Sequence, residues 1–264
     1  MYATKYHKPA SAAEASAAVG GAEDGKILAG GMTLIPTMKQ HLAAPSDVVS
    51  LSGAGLAGVS KAGDSLTIGA MTTHAEVAGN ADVLAMIPSL ACLAAGIGDP
   101  AVRHRGTIGG SVANNDPAAD YPAAMLALGA TIVTTSREIA AGDFFDGMFT
   151  TALEEDEVIT AIRVPVPKSG AYAKFPNPAS RYAMVGVFVA DTSEGVRVAV
   201  TGAGEDGVFR HDGLEAALGA ELSEGAVAGV EVSPEGMMED IHASAEYRAH
   251  LVGVMAKRAV AALA

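Results

Sequence analysis

Cysteine and tryptophan are almost absent from this 264-residue chain, which holds one cysteine, Cys92, and no tryptophan. A single thiol excludes a disulfide framework, a CxxC zinc site and any iron–sulfur cluster that takes four thiolates from this chain. Aromatic residues make up only 5%, so no platform for stacking nucleic-acid bases is visible. Any metal-based redox centre that serves this protein must therefore lie on another polypeptide.

Positive charge is also scarce, since 17 Lys and Arg residues face 30 Asp and Glu residues and the formal net charge is −13. Such a surface repels phosphate backbones, so we expect no nucleic-acid partner. Residues 1–10 contain no apolar run of the secretory kind, and the longest weakly polar stretch, residues 86–98, is too short to span a bilayer. We therefore expect a cytoplasmic protein without a transmembrane segment.

Half of the residues are hydrophobic, which is enough for a sizeable core, and the length favours about two domains. The Pro-rich segment 165–170 (PVPKSG) is the best boundary by composition. The first half predicts helix 11–19, strand 26–29, helix 34–42, strand 48–51, a hairpin around turn 61–64, helices 72–77 and 81–96 with a kink or restart at Pro88, helix 122–128, and strands 131–134 and 158–166. Strand-like segments 184–190 and 196–201 and a long helix over 243–264 predict an α+β arrangement for the second half.

The strongest local signal lies at residues 27–36 (ILAGGMTLIP), where an apolar strand runs through Gly30 and Gly31 into a predicted helix. Residues without Cβ atoms let backbone N–H groups approach a ligand, and a helix start adds partial positive charge. This pattern favours a phosphate group. An ordinary strand-to-helix turn explains the same residues and stays open as the alternative.

A second glycine segment, residues 107–111 (TIGGS), repeats the combination of an apolar residue, two glycines and a hydroxyl. Two such loops can hold a diphosphate from both sides through main-chain amides and hydroxyls, without lysine or arginine. The alternative is a pair of unrelated turns. Asp120, at a predicted helix start, either caps that helix, which is the default, or accepts hydrogen bonds from ligand hydroxyls.

Other patterns carry no function. The GxGxxG match at 202–207 places Glu205 and Asp206 where a dinucleotide fold needs phosphate-binding amides, so we interpret it as a strand-to-strand loop. The chain has no GxSxG, HExxH or GxxxxGK[ST] pattern. Its scattered histidines are interpreted as surface or cap residues, and Cys92 as a small core residue.

Short blocks along nearly the whole chain share one order and spacing: YHKP (6–9), AGGMTLIP (29–36), GAMTT (69–73), GDP (98–100) with Arg103, TIGGS (107–111), DPAAD (116–120) and AEYR (245–248). Together they resemble the FAD-binding medium subunit of molybdenum hydroxylases, the family of aerobic carbon monoxide dehydrogenase and of the flavin portion of xanthine dehydrogenases. The resemblance implies an α+β fold. An FAD-binding domain of the vanillyl-alcohol-oxidase (PCMH) type would occupy residues 1–167, with subdomains at 1–54 and 55–167, and a C-terminal domain of a small antiparallel sheet with helices would occupy 168–264.

The resemblance further implies two diphosphate loops, at 29–33 and 107–111. Asp120 would take ribityl or ribose hydroxyls, and Lys174 and Tyr182 would approach the isoalloxazine. The implied cofactor contacts are Ala29, Gly30, Gly31, Met32, Thr33, Thr73, Thr107, Ile108, Gly109, Gly110, Ser111, Asn114, Asp120, Lys174 and Tyr182. No residue is implied as catalytic or as a metal ligand, because the flavin carries the chemistry.

The partners implied are a large subunit with the molybdenum cofactor and a small subunit with two-iron two-sulfur clusters, assembled as a dimer of heterotrimers. This chain would accept electrons from those clusters and pass them to an external acceptor, as in a carbon monoxide dehydrogenase. A self-sufficient flavin oxidase or reductase is one alternative. The other is an assembly subunit with a degenerate flavin site, since residues 176–181 (PNPASR) depart from the family pattern. Met32 also replaces a residue that is often polar in the family.

Overall fold

The computed structural model describes residues 1–263, whose strands form three sheets. The N-terminal part contains β1 (Lys5–His7), α1 (Ala12–Gly20), β2 (Gly25–Leu28), α2 (Leu34–Lys39), β3 (Asp47–Ser50) and a 3-10 turn (Leu51–Gly53). Its strands are parallel, in the order β1-β3-β2, and the helices supply the crossovers that parallel neighbours need. These bounds agree with the predicted ones to within a few residues.

The Ser-x-x-Glu spacing of Ser11 and Glu14 predicts a cap for α1. Its first half is present, because Ser11 Oγ accepts a hydrogen bond from the Glu14 N–H at 3.2 Å. The Glu14 carboxylate accepts in turn from the N–H of Ala10 at 2.9 Å, rather than from that of Ser11. The helix start is thus fixed from both sides.

The second part contains β4 (Val59–Ala62), β5 (Ser65–Gly69), α3 (His74–Gly79), α4 (Ala81–Met86), α5 (Pro88–Ala95), α6 (Pro100–Arg103), α7 (Ile108–Asn114), α8 (Tyr121–Leu128), β6 (Thr131–Thr134), β7 (Glu138–Ala140), a 3-10 turn (Ala141–Asp143) and β8 (Ile159–Pro165). Its strands pair antiparallel in the order β4-β5-β8-β6-β7. Ile162 on the central strand lies opposite Ile68 and Ile132, and all three are fully buried. The helix predicted over 81–96 is two helices, because Pro88 begins α5 and Ile87 before it leaves the helical conformation.

The third part contains β9 (Ser169–Pro176), β10 (Ala183–Thr192), β11 (Gly195–Gly204), β12 (Gly207–Arg210), α9 (Asp212–Ala220), α10 (Glu224–Ala228) and α11 (Ala245–Ala261). The strands pair antiparallel in the order β12-β11-β10-β9. The GxGxxG segment joins β11 to β12, as predicted, and opens no helix. The predicted α+β arrangement is confirmed.

Helix α8 connects the second and third parts. All of its residues are buried, which is typical of a helix packed on every side. Alternate residues of β10 serve two cores: Val187 and Val189 pack with α11, whereas Phe188 packs in the core that α8 shares with the five-stranded sheet. The N-terminal end of α8 is thereby held beside the third sheet.

Candidate functional site

A cavity of about 800 Å³ lies where segments of all three parts meet. Residues 28–34, 109–111 and 180–182 each contribute to its lining. Its volume falls within the range of about 300–1,000 Å³ that is typical of ligand sites. The residues predicted as cofactor contacts all line this cavity except Thr73, Ile108 and Lys174.

The first glycine segment has the conformation and the contacts that require glycine. Gly31 has φ +75°, in the left-handed region, and a Cβ on Gly30 would lie 2.0 Å from the carbonyl oxygen of Arg105. Among residues 1–263, no protein group accepts a hydrogen bond from the N–H groups of residues 30–33. These adjacent donors are available to a ligand in the cavity.

The second glycine segment is not the loop that the sequence predicted, because Thr107 caps α7 and the helix begins at Ile108. The N–H groups of Ile108 and Gly109 bond to the carbonyls of Thr72 and Ala70, and that of Gly110 bonds to Thr107 Oγ1. The Ser111 N–H bonds to the carbonyl of Thr107, so the backbone donors of residues 108–111 are occupied. In the described part of the chain, the Ser111 hydroxyl has no hydrogen-bond partner, and Ser111 is one of the polar residues of this segment that line the cavity.

The two glycine segments touch each other. A Cβ on Gly110 would lie 3.3 Å from the Cβ of Ala29, and one on Gly30 would lie 2.9 Å from the Cα of Gly106. Glycine at these positions lets the segment after β2 dock on the start of α7. Both segments thus face one shared cavity.

Asp120 is buried and does not cap α8, contrary to the default expectation. Its carboxylate accepts hydrogen bonds from Tyr172 and from Lys174, whose Nζ also donates to the carbonyl of Gly96 at 3.0 Å. Burial raises the pKa of Asp120, and the ammonium and the phenol oppose that rise. Lys174 therefore supports Asp120 from β9 instead of lining the cavity.

The other two exceptions have structural roles. Thr73 caps α3 through a reciprocal pair with Glu76, whose carboxylate accepts from the Thr73 N–H at 2.7 Å and from its hydroxyl at 2.8 Å. Ile108 points into the main core, where it is fully buried. Neither predicted contact reaches the cavity.

Two interpretations of single residues were wrong. His74 is buried at the cavity beside Tyr121, and burial together with Arg103 lowers its pKa to about 4. Cys92 is exposed, because α5 turns Leu90 and Leu93 toward the core instead. Within residues 1–263, three or more His, Cys, Asp or Glu side chains nowhere gather as a metal site.

Glu157 is a cavity residue that sequence reasoning missed. Its side chain, only 1% exposed, is paired with Arg137 through Nε–Oε1 and Nη2–Oε2 distances of 3.0 Å each. Burial raises the pKa of Glu157, but hydrogen bonds from Arg137, Thr134 and Ser136 outweigh it and hold the pKa at about 2. No local pattern reveals this pairing, because the sheet register brings the residues together.

Residues 2–167 match the family model described as the FAD binding domain in molybdopterin dehydrogenase. The chain is 36% identical to the carbon monoxide dehydrogenase medium chain of Afipia carboxidovorans, over 97% of this chain and 94% of that protein. This chain belongs to the molybdopterin dehydrogenase FAD-binding family. It is also 36% identical to the nicotine 6-hydroxylase medium subunit of Paenarthrobacter nicotinovorans, over 98% of this chain and 96% of that protein.

The fold of this family member is similar to that of a chain in the crystal structure of cyanide-inactivated Cu,Mo-CO dehydrogenase. The TM-score is 0.90 at 35% identity, over 99% of this chain and 98% of that chain. The family inferred from the motif blocks and the PCMH-type α+β fold are thereby confirmed. The chain is the flavoprotein component of a molybdenum-containing oxidoreductase. No helix of residues 1–263 has the length and apolarity to cross a bilayer.

Proposed function

We propose that this chain holds the FAD through which a three-subunit molybdenum hydroxylase releases its electrons. The electrons would come from two-iron two-sulfur clusters on a small subunit, after substrate oxidation at a molybdenum cofactor on a large subunit. The single cysteine supports the placement of the clusters on another subunit, because each cluster needs several thiolates that this chain lacks. An external acceptor would then reoxidise the flavin.

One observation carries the proposal: the same cavity is lined by residues 30–33, whose N–H groups have no acceptor within residues 1–263, and by Ser111, whose hydroxyl has no partner there. Successive backbone donors bind phosphate oxygens without needing cationic side chains, which suits a chain of charge −13. In the described residues the Asn114 side chain also has no protein partner, so it adds further polar groups to the lining. We therefore assign the diphosphate to the backbone of residues 29–33 and to the side chains of Ser111 and Asn114.

The remaining cavity residues fit the rest of the flavin nucleotide. Asp120 would accept hydrogen bonds from ribityl or ribose hydroxyls with the lone pairs that Tyr172 and Lys174 leave free. Tyr182 would contact the isoalloxazine. Burial first, and then Asp116 and Asp120, raises the pKa of Tyr182, so its phenol keeps its proton at neutral pH and stays a donor.

Bound FAD would supply the electron chemistry, since it exchanges electrons singly and in pairs. The chain's own residues would bind and orient it. Residues 1–167 would form the FAD-binding domain in two subdomains that meet at the glycine segments, and residues 168–264 would cover the cavity from the third sheet. The separate three-stranded and five-stranded sheets support this division, and Gly30 packs against Arg105 where the two subdomains meet.

For the whole complex we propose a carbon monoxide dehydrogenase type, a dimer of heterotrimers in the cytoplasm. The 36% identity to a carbon monoxide dehydrogenase medium chain supports carbon monoxide as the substrate of the complex. The exposed free thiol of Cys92 is consistent with a reducing compartment such as the cytoplasm. Equal identity to a nicotine 6-hydroxylase subunit favours an N-heterocycle as the second candidate. Assays of the co-purified complex on carbon monoxide and on nicotine distinguish the two.

The cofactor assignment is tested by the FAD content of the purified full chain. We expect a yellow protein that releases about one FAD per chain on denaturation. Gly110→Asp places a carboxylate between the glycine segments and should abolish FAD binding, because it repels the diphosphate. Gly142→Asp is the matched control, since a side chain there meets nothing within 4 Å and lies outside the cavity lining.

Two outcomes contradict this assignment. A colourless chain that ignores added FAD would refute it, and so would a Gly110→Asp variant that keeps its FAD and supports full activity of the complex. The second result would favour the assembly subunit. Steady turnover of an organic substrate by the isolated chain would instead favour a self-sufficient flavoenzyme.

A further inference from the structure

Phe149 combines two unfavourable features at the rim of the cavity. Its side chain is 59% exposed although it lines the cavity, and its backbone has φ +54°. The left-handed conformation is costly for a bulky residue, and glycine at this position would remove both the strain and the exposed ring. A strained residue that persists at a cavity points to a role in ligand binding.

The position of Phe149 is fixed by Asn115, the buried residue that ends α7. The Phe149 N–H donates to the Asn115 carbonyl at 3.0 Å. The Asn115 side-chain amide donates to the carbonyls of Gly147 at 2.8 Å and Thr150 at 2.7 Å. Because α7 also begins with the second glycine segment, one short helix sets the distance between Phe149 and that segment.

We propose that Phe149 is a cover for the bound flavin nucleotide, a contact that retains the cofactor by burying the exposed ring against it. The inference rests on the proposed function and adds a residue that the motif blocks do not contain. Aromatic side chains gain from stacking and from loss of apolar surface to water. Its neighbour Met148 is 43% exposed but does not line the cavity, so it offers a matched control.

The test compares FAD binding by the flavin-stripped full chain and by its Phe149→Ala, Phe149→Gly and Met148→Ala variants. We expect both Phe149 variants to raise the FAD dissociation constant about tenfold, chiefly through faster release, because partial burial of a phenyl ring contributes roughly that factor. Phe149→Gly should also raise the melting temperature of the cofactor-free chain above that of Phe149→Ala, because glycine relieves the strained φ. Met148→Ala should bind FAD as the parent does.

Failure of this inference and failure of the proposed function give different results. If the parent chain does not bind FAD, the proposed function fails and the cover fails with it. If the parent binds FAD and both Phe149 variants bind it equally tightly, the cover alone is refuted. A loss in Met148→Ala as large as in Phe149→Ala would also refute it, because the effect would then belong to the loop and not to the ring.

Discussion

Removal of one partner from the ion pair between Lys174 on β9 and Asp120 at the start of α8 should strongly destabilise the fold. The Nζ–Oδ1 distance is 3.0 Å, and the two side chains are 11% and 5% exposed. Lys174→Met keeps most of the apolar stem and removes the charge, which leaves the Asp120 carboxylate buried with Tyr172 as its remaining hydrogen-bond donor. Breaking one side of a buried pair costs about 3–5 kcal/mol. Because Lys174 retains some exposure, we expect a loss of about 3 kcal/mol in the free energy of unfolding.

The measurement is urea unfolding of the cofactor-free full chain, followed by circular dichroism. Lys168→Met is the control, since it breaks the Lys168–Asp191 pair of 3.1 Å at the edge of the same sheet, where the side chains are 65% and 27% exposed. That surface pair should contribute less than about 1 kcal/mol. The double variant Asp120→Asn/Lys174→Met should recover part of the lost free energy of unfolding, because it also removes the carboxylate charge that Lys174→Met leaves without a cationic partner. Equal losses in Lys174→Met and Lys168→Met would refute the reasoning.

Two further predictions concern acid stability. The pKa of Glu157 in the folded chain, about 2, lies below its ordinary 4.5. Its contribution to the free energy of unfolding is therefore present above pH 4.5 and is lost as the pH falls toward 2. Glu157→Gln should lower the free energy of unfolding by about 1–3 kcal/mol at neutral pH and flatten its pH dependence. Glu154→Gln, which changes an exposed partner of Arg137, should change the free energy of unfolding little. Equal unfolding curves for the two variants would contradict this prediction. The folded pKa of His74, about 4, lies below its ordinary 6.5, so the unfolded chain takes up the proton first and stability should fall between pH 6.5 and pH 4. His74→Leu should reduce the loss of unfolding free energy between pH 7 and pH 5, and an unchanged loss would show that His74 is not its source.

Local patterns were sufficient where one stretch of chain decides the structure. The strand–helix–strand order of residues 26–51 and the rejection of GxGxxG at 202–207 depend on neighbouring residues, and the structure bears them out. The cap of α1 by Ser11 likewise follows from residues within one turn.

Features of the site that depend on contacts between residues far apart in the chain could not be predicted from local sequence. Gly109 is required because a Cβ there would lie 2.6 Å from Ala70, a contact that local sequence does not reveal. The partners of Asp120 lie 52 and 54 residues away, so its default role as a cap could not be excluded beforehand. The left-handed backbone of Phe149 could not be predicted from its residue type, because residues in this conformation are usually glycine or asparagine.

A crystal structure of the full chain with FAD bound tests the central inference most directly. We expect the diphosphate oxygens to lie within hydrogen-bond distance of the N–H groups of residues 30–33, with the Ser111 hydroxyl beside them. FAD density elsewhere on the chain, or a diphosphate held by side-chain cations while those N–H groups stay free, would contradict it.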